Sequence, residues 1–292
     1  AFYHFVLEEL AGLAAESARH DLERAIDMLQ ELVVQSRTNA AERRQQQQKL
    51  QAQQAQAERL LQQTELPELE KRLEQETQEL LYYMEQRVFL RFAEFYRESF
   101  NPALLRKGQG RMKELLIQAL QELLRAIGFD FAQEMRAATM RLEKFLQKEL
   151  DAGRTILEKE LREINPRLSF LDWEAIVDLQ QDFQPAFQAL PEKKTADILS
   201  AFRGPRAFFE QGGSRRMEEQ LQTLLQAEAE LYLSQEAKRI LQKERAAAEE
   251  LYAGMINRLA EQTQEFYAAW QRVLQGGVPV QQLEKALREL QG

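Results

Sequence analysis

NPRLSFLDWEAIVDLQQDFQPAFQALPEKKTADILSAFRGPRAFFEQGG, residues 165–213, stands between long helical stretches and decides how they connect. Pro166, Pro185, Pro191 and Pro205 each remove a backbone donor, so no continuous helix crosses it. Gly204, Gly212 and Gly213 add points where the chain turns. Seven rings crowd the same stretch: Phe170, Trp173, Phe183, Phe187, Phe202, Phe208 and Phe209. From Ala201 to Arg216, Arg203, Arg206, Arg215 and Arg216 face a single carboxylate, Glu210. This patch is cationic in a chain of 292 residues whose formal net charge is -8.

Outside this stretch the helix breakers are few. They are Pro67, the run NPALLRKGQG at 101–110, and Gly276, Gly277 and Pro279 near the end. Between them Glu, Gln, Leu, Ala and Arg dominate, the composition of long helices. The spacing predicts a first helix over about 2–64, a second over 68–100, a third over 111–164 and a last over 214–275. A short amphipathic helix follows over 279–292. Phe2, Val6, Leu10 and Leu13 recur at helical spacing, as do Leu22, Ile26, Leu29 and Val33. Residues 41–60 offer a partner little beyond alanines and Leu50. The aromatic run Tyr82, Tyr83, Phe89, Phe92, Phe95, Tyr96 and Phe100 reads as core.

A helix of about 60 residues is roughly 90 Å long, so packed antiparallel helices of this length form a slender stalk. The expected fold is all-α: an elongated antiparallel bundle of about four long helices with a short, paddle-like helical tip. Residues 1–164 supply helices one to three, 165–213 the tip, 214–275 the last long helix. If each helix reverses the one before, the Pro67 turn and the whole of 165–213 share one end, and both termini lie near the other. A slim tip has little bulk in which to bury seven rings. Rings beside arginines suit a bilayer interface with anionic lipids. The residues expected to meet it are Phe170, Trp173, Phe202, Arg203, Arg206, Phe208 and Phe209. Pro102, Gly108, Gly110, Gly212, Gly213, Gly276 and Gly277 are candidate hinges.

Catalytic chemistry finds little support. Cysteine is absent, and His4 and His20 are the only histidines, with no carboxylates at ligand spacing. No Ser-His-Asp or Cys-His set can be assembled. The phosphate-loop pattern GxxxxGK[ST] does not occur, and RKGQGRMKE at 106–114 lacks its spacing. Nucleic acid is a poor partner for an acidic chain with no basic helix stripe. No apolar run approaches the roughly 20 residues that span a bilayer, and the opening residues do not carry the pattern expected of a signal peptide.

The stretch PRAFFEQGGSRRMEEQL, 205–221, resembles a segment of bacterial dynamin-like proteins in which a Phe-Phe pair, a Gly pair and basic residues precede the last long stalk helix. FYHFVLEELAGLAAESARHDLERAI, 2–26, is similar to the helix that leaves the GTPase domain in the same family. The resemblance implies the helical neck and trunk of a membrane-remodelling GTPase, with a lipid-binding paddle at the trunk tip. It implies an anionic membrane as partner, self-association, and a place at the inner face of the cell membrane. This chain itself is then non-catalytic and needs no cofactor. GTP and magnesium belong to a GTPase domain expected ahead of Ala1. A plain coiled-coil scaffold with no lipid role is the alternative, and it predicts that the tip rings are buried. A helical pore-forming toxin is a third reading, opposed by the lack of a longer apolar segment.

Overall fold

The computed structural model describes residues 40–64, 67–103, 111–180, 183, 186–187, 190–275 and 280–291, with seven isolated positions between 19 and 33. The described residues are all-α, with no strand among them. The helices are α1 (Ala40–Gln63), α2 (Pro67–Leu90), α3 (Phe92–Ser99), α4 (Met112–Ile164), α5 (Glu192–Leu199), α6 (Pro205–Glu210), α7 (Gly213–Leu274) and α8 (Val280–Gln291). Two are very long: α4 has 53 residues and α7 has 62. Their starts and ends lie within a residue of the bounds the sequence predicts, because Gly and Pro mark both limits.

Contacts divide the chain into two compact units. The first gathers α1, residues 148–176 and the residues from 249 onward. The second gathers 67–147 and 177–248. Pro67 opens α2 at the first position of the second unit.

In the first unit, the polar helix α1 buries little beyond Leu50, Ala57 and Leu61, as its alanine-rich pattern requires. They join Leu157 and Leu161 of α4, and Met255, Leu259, Phe266, Tyr267 and Trp270 of α7. Gln53 Nε2 donates to the carbonyl of Ile164 at 2.7 Å, and Gln271 Nε2 donates to Gln54 Oε1 at 2.8 Å.

In the second unit, α2 and α3 run antiparallel to α7. Thr77 meets Glu244 and, further along, Tyr96 donates to the carbonyl of Ser214 at 2.9 Å. They also run antiparallel to α4, where Arg87 pairs with Glu134 at 2.8 Å and Arg91 with Asp130 at 2.7 Å. Within this unit α4 and α7 are therefore parallel to each other. This corrects the alternation expected from counting helices, which has the third and fourth long helices running opposite ways.

The reason lies in the proline-rich stretch, which the two units share. Residues 165–176 belong to the first unit and 177–212 to the second, and in each the described residues lie alongside the helices of that unit. Leu179 N–H donates to Glu143 of α4 at 2.9 Å, and Lys243 of α7 donates to the carbonyl of Gln180. Further on, the Phe187 ring sits 5.7 Å from that of Phe131, and Lys194 pairs with Glu228. Eight steps of the crossover thus pass twelve positions of α4, about 18 Å, a reach that non-helical chain has and a helix lacks. Leu179, Phe183, Phe187 and Ile198 are buried on the way. On the sequence alone Leu168, Leu171, Trp173, Ile176, Val177 and Phe187 could equally fold over one another as a small cap; in the second unit the long helices themselves cover Phe183 and Phe187.

The aromatic run of α2 and α3 divides. Phe89, Phe92, Tyr96 and Phe100 are core, Phe95 is half-buried, and Tyr82 and Tyr83 face solvent, contrary to expectation.

One arginine fixes the crossover in the first unit. Arg154 of α4 donates to the carbonyls of both Leu171 and Trp173 and pairs with Glu158 at 2.7 Å. Its side chain is 12% exposed, so these charged hydrogen bonds are little screened. Arg154→Ala is expected to cost about 2 kcal/mol and to speed amide exchange at residues 171–175 well beyond that of the helices. Exchange read by mass spectrometry checks this; unchanged protection there removes the clamp.

Candidate functional site

The described site residues fall in both units. Phe170 and Trp173 lie in the first unit, whereas Phe202, Arg203, Arg206, Phe208 and Phe209 lie in the second. Phe170 is buried, with the Arg162 guanidinium 5.6 Å from its ring centre. Trp173 is half-buried under Arg154, 5.9 Å from the ring. Phe208 is fully buried, which corrects its expected place on a lipid-facing surface. A phenyl ring recovers the same transfer free energy from a protein core as from a bilayer, so composition alone does not separate the two.

The second-unit residues do build a compact structure. Pro205 occupies the first turn of α6, where its missing N–H costs nothing. Phe208 N–H closes that turn onto the carbonyl of Gly204 at 2.9 Å. Its ring stacks between Phe202, 5.2 Å away and tilted, and Phe209, 5.0 Å away and edge-on. Phe202 and Phe209 are half-buried beside it. Gly212 has φ 77°, which suits glycine and little else. At Gly213 an added Cβ would stand 2.8 Å from the Phe208 Cα and 3.0 Å from the Ala207 carbonyl oxygen. The Gly-Gly pair is thus the tight corner that presses α6 onto the start of α7. Pro102 lies exposed just past α3. Gly108, Gly110, Gly276 and Gly277 fall outside the described residues.

Around this buried knot the surface is basic. Arg203, Arg206, Arg215 and Arg216 are all exposed. Arg206 reaches Glu210 at 3.4 Å and Arg215 reaches Glu219 at 3.0 Å, both pairs solvent-exposed. The first turn of α7 holds no acidic residue, so Arg215 and Arg216 add to the positive end of the helix dipole. Arginine there opposes helix stability, and its charge is displayed outward. The sequence reading counted Arg215 and Arg216 in the local charge but left them out of the binding set. Both stand exposed in the first turn of α7, which meets Phe208 through Gly213.

Among the described residues no group of His, Cys, Asp and Glu could hold a metal ion. No helix searched there is long and apolar enough to cross a membrane. Compared with protein-family models, with curated proteins and with solved structures, the chain matches none.

Proposed function

We propose that this chain is the non-catalytic helical stalk of a membrane-remodelling GTPase of the bacterial dynamin-like kind. Nucleotide chemistry then resides in a domain outside this sequence. The arginine cluster about the α6–α7 corner carries the reading, since a surface of four exposed arginines in a chain of net charge -8 suits an anionic partner. An anionic lipid surface at the inner face of the cell membrane supplies one, and half-buried Phe202 and Phe209 lie beside the cations to meet its apolar layer. The likeness of 205–221 to the family's stalk segment supports the same reading. Long helices suit a part that carries movement between a GTPase and a lipid-bound end. Each cation near an anionic surface contributes about 1 kcal/mol, so one copy binds weakly and an assembled array binds well.

A helical scaffold without a lipid role is the second reading. Burial of Phe170 and Phe208 favours it, because that reading requires the rings to be core.

Vesicle flotation separates the two. Arg203 and Arg216 are exposed and outside the two ion pairs of this corner. The double variant Arg203→Gln, Arg216→Gln is expected to weaken binding to phosphatidylglycerol vesicles about 30-fold while leaving thermal melting unchanged. Binding of the artificially dimerised chain that is indifferent to anionic lipid, or to this double variant, sinks the stalk reading and leaves the scaffold.

A further inference from the structure

The first unit contains a cleft of about 360 Å³ between α1, the turn after α4, and the end of α7. That is the lower end of small-ligand volumes and far more than one water requires. Its wall and floor are partly apolar, from Leu50, Pro166, Leu274 and the Trp270 ring. Its polar lining is unusual in an acidic protein: Lys49 and Arg167 stand there, with no carboxylate among the described lining residues.

Two polar atoms beside this cleft have no partner. Trp270 is only 3% exposed, and its indole Nε1–H, which can only donate, reaches no acceptor. Gln46 Oε1 is likewise buried and accepts no hydrogen bond. Buried groups of this kind are satisfied in folded proteins by protein, water or ligand. The neighbouring amides are already committed. Asn165 Nδ2 donates to Gln53 Oε1 at 3.3 Å and Gln53 Nε2 donates to the Ile164 carbonyl, so they fix the wall and serve neither Trp270 Nε1 nor Gln46 Oε1. Arg167 lies over the Trp270 ring, 5.0 Å from its centre, which holds its charge beside the indole in the cleft lining.

We infer that this cleft binds a phosphate monoester. The ligand must offer anionic oxygens to Lys49 and Arg167, an acceptor to Trp270 Nε1–H and a hydroxyl donor to Gln46 Oε1. A phosphate bearing a small hydroxylated body does all three, and its several oxygens match donors arriving from different directions. The phosphate monoester occurs with a free hydroxyl in a soluble sugar or glycerol phosphate; it occurs also in the headgroup of phosphatidic acid, where the protonated phosphate oxygen is the O–H that would donate to Gln46 Oε1. The inference concerns the first unit and does not rest on the arginine cluster of the second, so either can fail alone.

Trp173 and Trp270 are the only tryptophans, so the full chain carrying Trp173→Phe reports on Trp270 by fluorescence. Glycerol 3-phosphate is expected to change that emission saturably, with inorganic phosphate acting more weakly. The response is expected to fall at least tenfold in affinity in Lys49→Gln, Arg167→Gln, both exposed positions, at unchanged thermal melting. A response to phosphatidic acid vesicles without one to glycerol 3-phosphate also supports the site and assigns its ligand to a lipid. The inference is overturned if neither probe gives saturation by about 10 mM, a threshold of weak binding. Equal response to neutral glycerol, or full response in the double variant, overturns it as well.

Discussion

Phe208→Ala is expected to destabilise the chain by about 3–5 kcal/mol, the usual cost of emptying a fully enclosed phenylalanine site. For a chain of this size that corresponds to a melting temperature lower by about 10 °C. The ring is wholly buried between Phe202 and Phe209, in a core shared with Tyr96, Phe100, Met217 and Leu221. The void cannot close easily, because Gly213 already brings the backbone of α7 against that of α6. Gly213→Ala should destabilise by a similar route: its methyl would overlap the Phe208 Cα, an atom that cannot swing aside. Phe209→Ala, at a half-buried ring, should cost roughly a third as much. Circular dichroism melts measure all three. Below its melting transition Phe208→Ala should still float with anionic vesicles, since the exposed arginines are untouched. Unchanged melting with lost flotation would instead place this ring in the lipid.

The helices were legible because their signals are local. Met217, Leu221, Leu225, Ala229 and Leu233 follow at every fourth position and are all buried, as their spacing says. Glycine and proline bound each long helix within a residue of the observed limits. Direction was not legible. Proline excludes helix over 165–191 but does not say whether the chain turns back at once or travels first, and here it travels. That one uncertainty misplaced Phe170 and Phe208 together. The local excess of arginine was legible, and all four guanidinium groups are exposed, since none has a buried carboxylate to pair with. The cleft at Trp270 had no sequence signal, since Lys49, Arg167 and Trp270 are each more than a hundred residues apart and meet only through the fold.

Glu244 shows how an ordinary helical sequence conceals a large electrostatic effect. In QKERAAAEE it reads as one more solvated carboxylate, yet it continues the stripe of Leu233, Ile240 and Ala248 and has no exposed surface. Thr77 interrupts the matching stripe of Leu73, Leu81, Met84 and Val88 on α2, and it too is fully buried. The two polar groups meet: Thr77 Oγ1 donates to Glu244 Oε2 at 2.7 Å, while Oε1 has no partner. Burial pushes the Glu244 carboxyl up to about 7, helped by the charge of Glu76 and opposed by the Thr77 hydrogen bond. An acid raised in the folded state binds its proton more tightly there than in the unfolded chain. Its stabilising contribution is therefore complete below the ordinary value near 4.5 and is lost as pH rises through about 7. Over that window the loss amounts to about 3 kcal/mol. Glutamine keeps the shape and an acceptor for Thr77 but never ionises. Glu244→Gln is thus expected to match the natural chain at pH 4.5 and to exceed its stability by about 2–3 kcal/mol at pH 8. Urea unfolding at both values measures it. A difference of the same size at both pH values would mean that Glu244 is not the group that titrates. A smaller gain at pH 8 in a Thr77→Val background is not expected, because removing the donor leaves the carboxylate still less satisfied and enlarges the benefit of replacing it.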